Sequence, residues 1–444
     1  MTISLGNRAK MSTSTTGTGT ITLGSAVSGF QTFADAGITN GQTVRYAIDD
    51  GANFEIGSGT YTSSGTTLTR SVTESSNSDS AISLSGSAEV FIAATVADLN
   101  PLYAANESSP SAQPSATGIN AVAIGDSSVS SGADSLAFGD GATASSTRST
   151  AIGYNATSSS INSTAIGPNA TSSNFYTVAI GSPSNGTGSV ATGAFSAIAI
   201  NGYASGTDSF AAGVGSNSSS YGATGANSVA IGDRAKASGA NAFALGELPI
   251  ANATYASALG GFTNYAIAEG ATTVGGAYNR ADGPYSVTTG TRANSRLVYG
   301  RAVHASGRFS SDGDAQSSTF VLRSDTTDAT AEAMTTNNST AAATNQIVAA
   351  SNTCITFHGT VVAMQNGAQA HAGWEIKGML VNDGGTTTLA LGNVSDMAAT
   401  NASSWAVALS ADNTNNALTI QVTGEASHNI RWVANVQTAE VTYA

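Results

Sequence analysis

A single cysteine, Cys354, excludes an intrachain disulfide, and its setting in the alternating run "NTCITFHGTVVAM" reads as a small apolar residue in a strand. Lysine and arginine together number 15 against 28 acidic residues, a formal charge of −13. Phosphate contacts need clustered cations, so nucleic acid is excluded as a partner. The chain holds no apolar run of about 18 residues, and the opening "MTISLGNRAKMSTSTTG" lacks the apolar stretch of a secretion signal. Membrane insertion and export are therefore not expected. Charged residues make up only 10%, prolines number seven, and tryptophan is missing before residue 374. Abundant glycine, serine, threonine, alanine and asparagine instead suggest short strands and tight turns, an all-β chain.

What is present is a repeat. An apolar-glycine pair recurs every fourteen residues at Ile124-Gly125, Phe138-Gly139, Ile152-Gly153, Ile166-Gly167 and Ile180-Gly181. It resumes at Ile231-Gly232, Leu245-Gly246 and Leu259-Gly260, then stretches to fifteen at Val274-Gly275 and Thr289-Gly290. Between Gly181 and Gly232 the period slips, and insertions there are expected to leave one face as loops.

Within a unit such as "NSVAIGDRAKASGA", Val229 and Ile231 alternate with Ala230, the pattern of a short strand with one buried face. The glycine supplies the turn, and "AKASGA" makes a second short strand. Each unit thus predicts one coil, and about 13 coils at roughly 4.8 Å give a rod of roughly 60 Å. One coil buries on the order of 200 Å² of apolar side chain, about 5 kcal/mol, against an ordering cost near ~1.5 kcal/mol per residue. Shared burial among several chains around one axis resolves the deficit, so a cyclic homo-oligomer is expected.

The pattern N-S-x-A-I-G-x-x-A-x-A-S-G, seen as "NSVAIGDRAKASGA" and echoed in "NSTAIGPNATSS", "STAIGYNATSS" and "NAFALGELPIAN", resembles the head repeat of YadA-type trimeric autotransporter adhesins. The resemblance covers about 180 of the 444 residues. It implies a left-handed parallel β-roll built by three chains, with Gly125, Gly139, Gly153, Gly167, Gly181, Gly232, Gly246 and Gly260 at its turns.

The flanks depart from that family. The stretch from "GTGTITLGSAV" to "AEVFIAA" resembles N-terminal modules of phage fibre proteins, and "TIQVTGEASHNIRWVANVQTAEVTYA" resembles terminal β domains of tailed-phage virion proteins. The expected organisation is an arm over 1–16, an N-terminal β domain over 17–99 for virion attachment, a linker over 100–118 with Pro101, Pro110 and Pro114, the repeat shaft over 119–300, and a C-terminal β-sandwich or jelly-roll over 301–444. In the N-terminal domain Val44, Tyr46 and Ile48 share a face; at the other end Ile430, Trp432, Ala434 and Val436 do, as do Trp405, Val407 and Leu409.

Signals for chemistry are weak. Asp126, Asp140, Asp208, Asp233 and Glu247 stand at turn positions without the paired spacing that glycoside cleavage needs. There is no G-x-S-x-G elbow. His304, His358, His371 and His428 lack metal-ligand spacing, although three chains can bring one histidine each to a shared axis. Asp312 and Asp314 in "SSDGDAQ" are read as a structural turn rather than a calcium loop. Trp374, Trp405 and Trp432 alternate with apolar partners and are assigned to a core.

No enzyme activity, cofactor or metal is expected. Receptor-binding candidates are the polar loops "VNDGG", with Asn382 and Asp383, and "ADNTNN", with Asp412, Asn413 and Asn415. The expected protein is a homotrimeric phage fibre, assembled in the host cytoplasm onto the virion. Its N-terminus would hold a tail or capsid protein, and its C-terminus a host-surface glycan or outer-membrane protein, with a tail fibre favoured. The alternatives are a head-decorating fibre, a glycan-cleaving tailspike and a fragment of a cellular YadA-type adhesin.

Overall fold

The alternating runs of the first hundred residues form strands, and in the computed structural model those strands close on themselves. The structure describes residues 3–99, 112–181, 188–213, 220–367 and 369–443, and the chain divides into two units, Met1–Pro110 and Ser111–Ala444. In the first unit Thr43–Asp50 pairs with Glu89–Ile92, and the ring continues through Lys10–Thr13, Ile21–Ala26, Thr67–Leu68 and Asn53–Thr62 back to Thr43–Asp50. Every pairing in it is antiparallel, so the unit is a small closed barrel.

Val44, Tyr46 and Ile48 point into the barrel and are buried. Buried among them, Glu55 accepts hydrogen bonds from Arg70 Nε at 2.8 Å, the Tyr46 hydroxyl at 2.8 Å and the Ile82 N–H at 2.9 Å. A lone carboxylate would be costly there; three donors make it tolerable. The arm expected over 1–16 is not separate. Lys10–Thr13 is a stave of the barrel and buries Met11, an apolar side chain that an arm would leave in water.

Of the expected linker, residues 100–111 lie outside the described residues, and Ser115–Ala116 already pairs with Val129–Ser130 as the first rung of the repeat. From there two parallel ladders rise together. One runs from Ser115–Ala116 to Arg280–Ala281, and the other from Val122–Ile124 to Ala302–Ser306, a β-solenoid of about 13 turns. Register advances by one coil at each step, as in Ala123↔Ala137, Ala137↔Ala151 and Ala151↔Ala165. The insertions expected between Gly181 and Gly232 fall in part on residues outside the described set, yet the ladder passes them in register, Val178↔Ile198 and Phe210↔Val229.

The buried face of each rung is the reverse of the expectation from size. Ala230 is fully buried while Val229 and Ile231 are half-exposed, and the same holds along the array. The two ladders lie so close that their shared interior admits mainly alanine and serine, a column of more than twenty buried alanines. Buried serines close the corners: Ser135, Ser149, Ser163, Ser209 and Ser228 each donate to the carbonyl three residues earlier at 2.6–2.7 Å. Coils of fifteen residues carry a second glycine, Gly261 or Gly276, which forms a bulge. There Asn264 and Asn279 stand at the opposite corner, before the shorter ladder and in register with Ala235, each bonding carbonyls of its own coil and the next.

The solenoid runs without a break into the C-terminal sheet. Ala302–Ser306, its last rung, pairs antiparallel with Ala315–Thr326, and the same sheet continues through Ile430–Thr442, Thr353–Gln365, His371–Asp383 and Thr386–Thr400. The boundary expected at 301 therefore falls inside a sheet. A smaller sheet of Ala331–Ala333, Ile347–Val348, Ala406–Asp412 and Ala417–Thr423 supplies the partners for a second core. At its centre Trp432 stacks on Trp374 at 5.5 Å and meets Trp405 at 5.7 Å, with its Nε1–H donated to Thr326 Oγ1 at 3.0 Å.

Candidate interaction surface

Because alanine fills the inside, the larger side chains of the longer ladder stand outside. Val122, Phe138, Ile180, Ile200, Leu245 and Val274 are all exposed on one face of the solenoid. A column of this kind is a contiguous apolar stripe, which soluble monomers rarely display. The shorter ladder presents a mixed row outward, Thr143, Thr157, Thr171, Lys236 and Arg280 together with Val129, Val190 and Ile250. The face of the longer ladder is thus the more continuously apolar of the two.

The stripe ends at a hollow of about 670 Å³, where the parallel ladder passes into the antiparallel sheet. Its lining includes Val287, Thr289, His304, Thr356, His358 and Gln437. His304 Nδ1 lies 3.0 Å from Thr289 Oγ1. Two of the four histidines, 54 positions apart, are brought to one surface that sequence spacing did not reveal. Among the described residues no group of three or more histidine, cysteine or acidic side chains is placed to hold a metal ion.

The turn glycines occupy one column of corners. Gly125, Gly139, Gly153, Gly167, Gly181, Gly232, Gly246 and Gly260 all have positive φ, from 72° to 131°. A Cβ on Gly153 would lie 2.7 Å from the carbonyl carbon of Gly167, so the coils pack backbone on backbone there. These residues set the pitch.

The second of the two loops proposed from sequence meets Thr387, two residues past the first. The Thr387 N–H donates to Asn413 Oδ1 at 2.7 Å, and Thr387 Oγ1 donates to Asn416 Oδ1 at 3.0 Å. The polar groups of both loops, however, are largely spent on holding the turns. Asn382 is buried, donating to the Ala349 carbonyl at 2.8 Å and accepting from the Gly385 N–H at 2.9 Å, so as a receptor contact it is corrected to a structural residue. Asp412 accepts from the N–H groups of Thr414 and Asn415 and from the Asn415 amide. Burial alone would raise its pKa, but these donors outweigh it and hold the carboxyl below its ordinary value. Asp383 and Asn413 remain exposed at the tips.

The other candidates resolve structurally. Asp312 Oδ1 is bridged by Arg292 and Arg308, each at 2.8 Å, and Asp314 caps its turn through the N–H groups of Phe309, Ser310 and Ser311. Cys354 is half-buried in the strand Thr353–Gln365.

Comparison with known families agrees with the repeat. The YadA head domain repeat matches residues 116–142, 130–156, 144–170, 158–182 and 223–246. No curated protein matches the chain. The matched segments lie within the solenoid, where the apolar stripe stands.

Proposed function

We propose that the chain is an adhesin-like fibre protein that assembles as a homotrimer and attaches a particle or cell to a surface without catalysis. The observation that carries this is the inverted rung, alanine inside and, along the longer ladder, mainly isoleucine, valine, leucine or phenylalanine outside. YadA-like heads are typically trimeric, and three such stripes turned toward one axis bury each other. Weak contacts repeated about that axis then gain strength by avidity, and a deep pocket is not needed.

Within this reading, the N-terminal barrel attaches to a tail or capsid protein of a phage virion, and the C-terminal module with its polar loops engages a host-surface glycan or outer-membrane protein. Support for the virion comes from the likeness of both flanks to phage fibre modules. A cellular YadA-type adhesin rests on the same repeat match and is the second reading. Labelling with an antibody against the barrel separates them: decoration of phage particles supports the first, and decoration of bacterial envelopes the second.

The assembly itself is tested by light scattering. The native mass is expected to be three times the 43.8 kDa chain. Ile152→Lys with Ile166→Lys places charge on the stripe and is expected to give monomers that keep their β-sheet signal. A wild-type monomer would overturn the trimer.

A further inference from the structure

One corner of the solenoid carries aromatic side chains in a backbone conformation that aromatic residues avoid. Between the shorter ladder and the longer one, each coil turns through a left-handed residue. Asparagine fills that place without strain at Asn162, Asn227 and Asn241. Tyr176, Tyr255 and Tyr285 fill the equivalent place in other coils, with φ between 56° and 61°. Bulky side chains held at positive φ are strained, and strain retained repeatedly at one edge points to use. The rings are 47–59% exposed, so they are not there to fill a core.

At the end of this corner the rings are arranged as a platform. Tyr285 donates its hydroxyl to Glu269 at 2.7 Å and lies 5.3 Å from Tyr299, tilted 55° to it. Its ring leans over Gly270, where a Cβ would stand 2.5 Å from Tyr285 Cδ1. Gly270 also leaves a side-chain gap on the coil between Tyr255 and Tyr285, two rungs or roughly 10 Å apart. By contrast Tyr278, left-handed at the opposite corner, is packed between Phe262 and Arg292 and is explained by that packing.

We infer that this aromatic corner binds a neutral glycan lying along the solenoid, a glycan being one of the two surface partners of the proposed attachment role on which this assignment rests. Tyrosine faces stack on the apolar faces of pyranose rings, and the exposed amides of Asn227 and Asn241 and the carboxylate of Glu269 suit sugar hydroxyls. Arg148 holds the same corner one coil before Asn162, but from 162 to 285, where the rings stand, the left-handed positions and the residues preceding them include Asp208 and Glu269 and no lysine or arginine, so along that stretch an anionic polysaccharide finds no counter-charge. The rungs repeat the binding elements along a straight line, which fits a linear chain of sugars.

The full chain is titrated calorimetrically with cellohexaose, maltohexaose and mannohexaose, and with polygalacturonate as the anionic comparison. At least one neutral oligosaccharide is expected to bind. Tyr255→Asn with Tyr285→Asn, which removes the rings and relieves the backbone, is expected to weaken it by about tenfold per ring while leaving the mass unchanged. Tyr154→Ala, which removes an exposed ring from the opposite corner, is expected to leave affinity unaltered. No binding by any neutral probe, equal loss in Tyr154→Ala, or dissociation of the oligomer by the paired asparagine variant overturns the assignment. Because the corner belongs to one chain, a monomeric mass would overturn the trimer and leave the titration to decide the glycan.

Discussion

Arg301 and Glu440, separated by 139 positions, form an ion pair of 2.5 Å in which both side chains are almost wholly buried. Arg301 opens the last rung of the solenoid, and Glu440 lies on the last strand, so the pair ties the end of the rod to the end of the chain. Ser318 Oγ accepts from Arg301 Nε at 3.0 Å and Nη2 at 2.8 Å, and Gln316 donates to the same Glu440 oxygen. Burial pushes the Arg301 pKa down, against the opposing pull of Glu440. Glu440→Ala leaves a buried guanidinium without its counter-charge and is expected to cost about 3–5 kcal/mol in urea unfolding. Arg301→Met combined with Glu440→Leu is expected to recover most of that loss.

The glycine column makes a second prediction. Gly153→Ala forces a Cβ against the Gly167 backbone at a φ of 128° and is expected to destabilise by more than about 3 kcal/mol. Gly275, with φ 62° and open space where a Cβ would stand, is the control. Gly275→Asn is expected to change stability by less than about 1 kcal/mol, as read from thermal melts.

The interior of the last coils predicts a gain. Thr273 and Thr288 succeed the alanines of the core column in register, and neither hydroxyl has a hydrogen-bond partner among the described residues. An unpaired buried hydroxyl costs about 1–3 kcal/mol. Thr288→Val, matching Val303 in the next rung, is expected to raise the melting temperature.

The N-terminal barrel predicts a pH dependence. Burial raises the Glu55 pKa, but Arg70, the Ile82 N–H and Tyr46 outweigh it and hold the carboxyl below its ordinary value. Asp98 is lowered too, first by its hydrogen bonds from Arg45. A carboxylate with a depressed folded pKa contributes stability above its unfolded value and loses it as pH falls through the folded one. Barrel stability is therefore expected to be flat above about pH 5 and to fall below about pH 4. Glu55→Gln is expected to shrink that fall, as followed by barrel melts across pH.

Much of this architecture is written in one-dimensional spacing. The fourteen-residue interval from Gly125 to Gly181 gives the coil and the stacking, because each coil repeats the same contacts. Alternation gives the faces of Thr43–Asp50 and Ile430–Thr442. Which face of a rung is inside is not legible that way: Val229 and Ile231 outrank Ala230 in hydrophobicity, and only the narrow gap between ladders reverses their order. Asn382 has the composition of a loop tip, yet its amide is needed by a distant carbonyl at Ala349. Tyr255 and Tyr285 carry no local sign of a left-handed turn, since asparagine or glycine normally marks one. Their place emerges only from alignment with Asn227 and Asn241 in neighbouring coils. Arg301 and Glu440 meet through the sheet that both ends of the C-terminal module share, a pairing no local pattern contains.

The continuity of that sheet has a mechanical side. Inter-rung hydrogen bonds point along the direction of stacking, so tension applied in that direction loads one rung at a time, and the solenoid peels. In the C-terminal sheet, Ile430–Thr442 is bonded along its length to Ala315–Thr326 on one side and Thr353–Gln365 on the other. Pulling that strand lengthwise loads many bonds together in shear. Under load the rungs act as a fuse that yields stepwise, dissipating work while the terminal sheet stays closed.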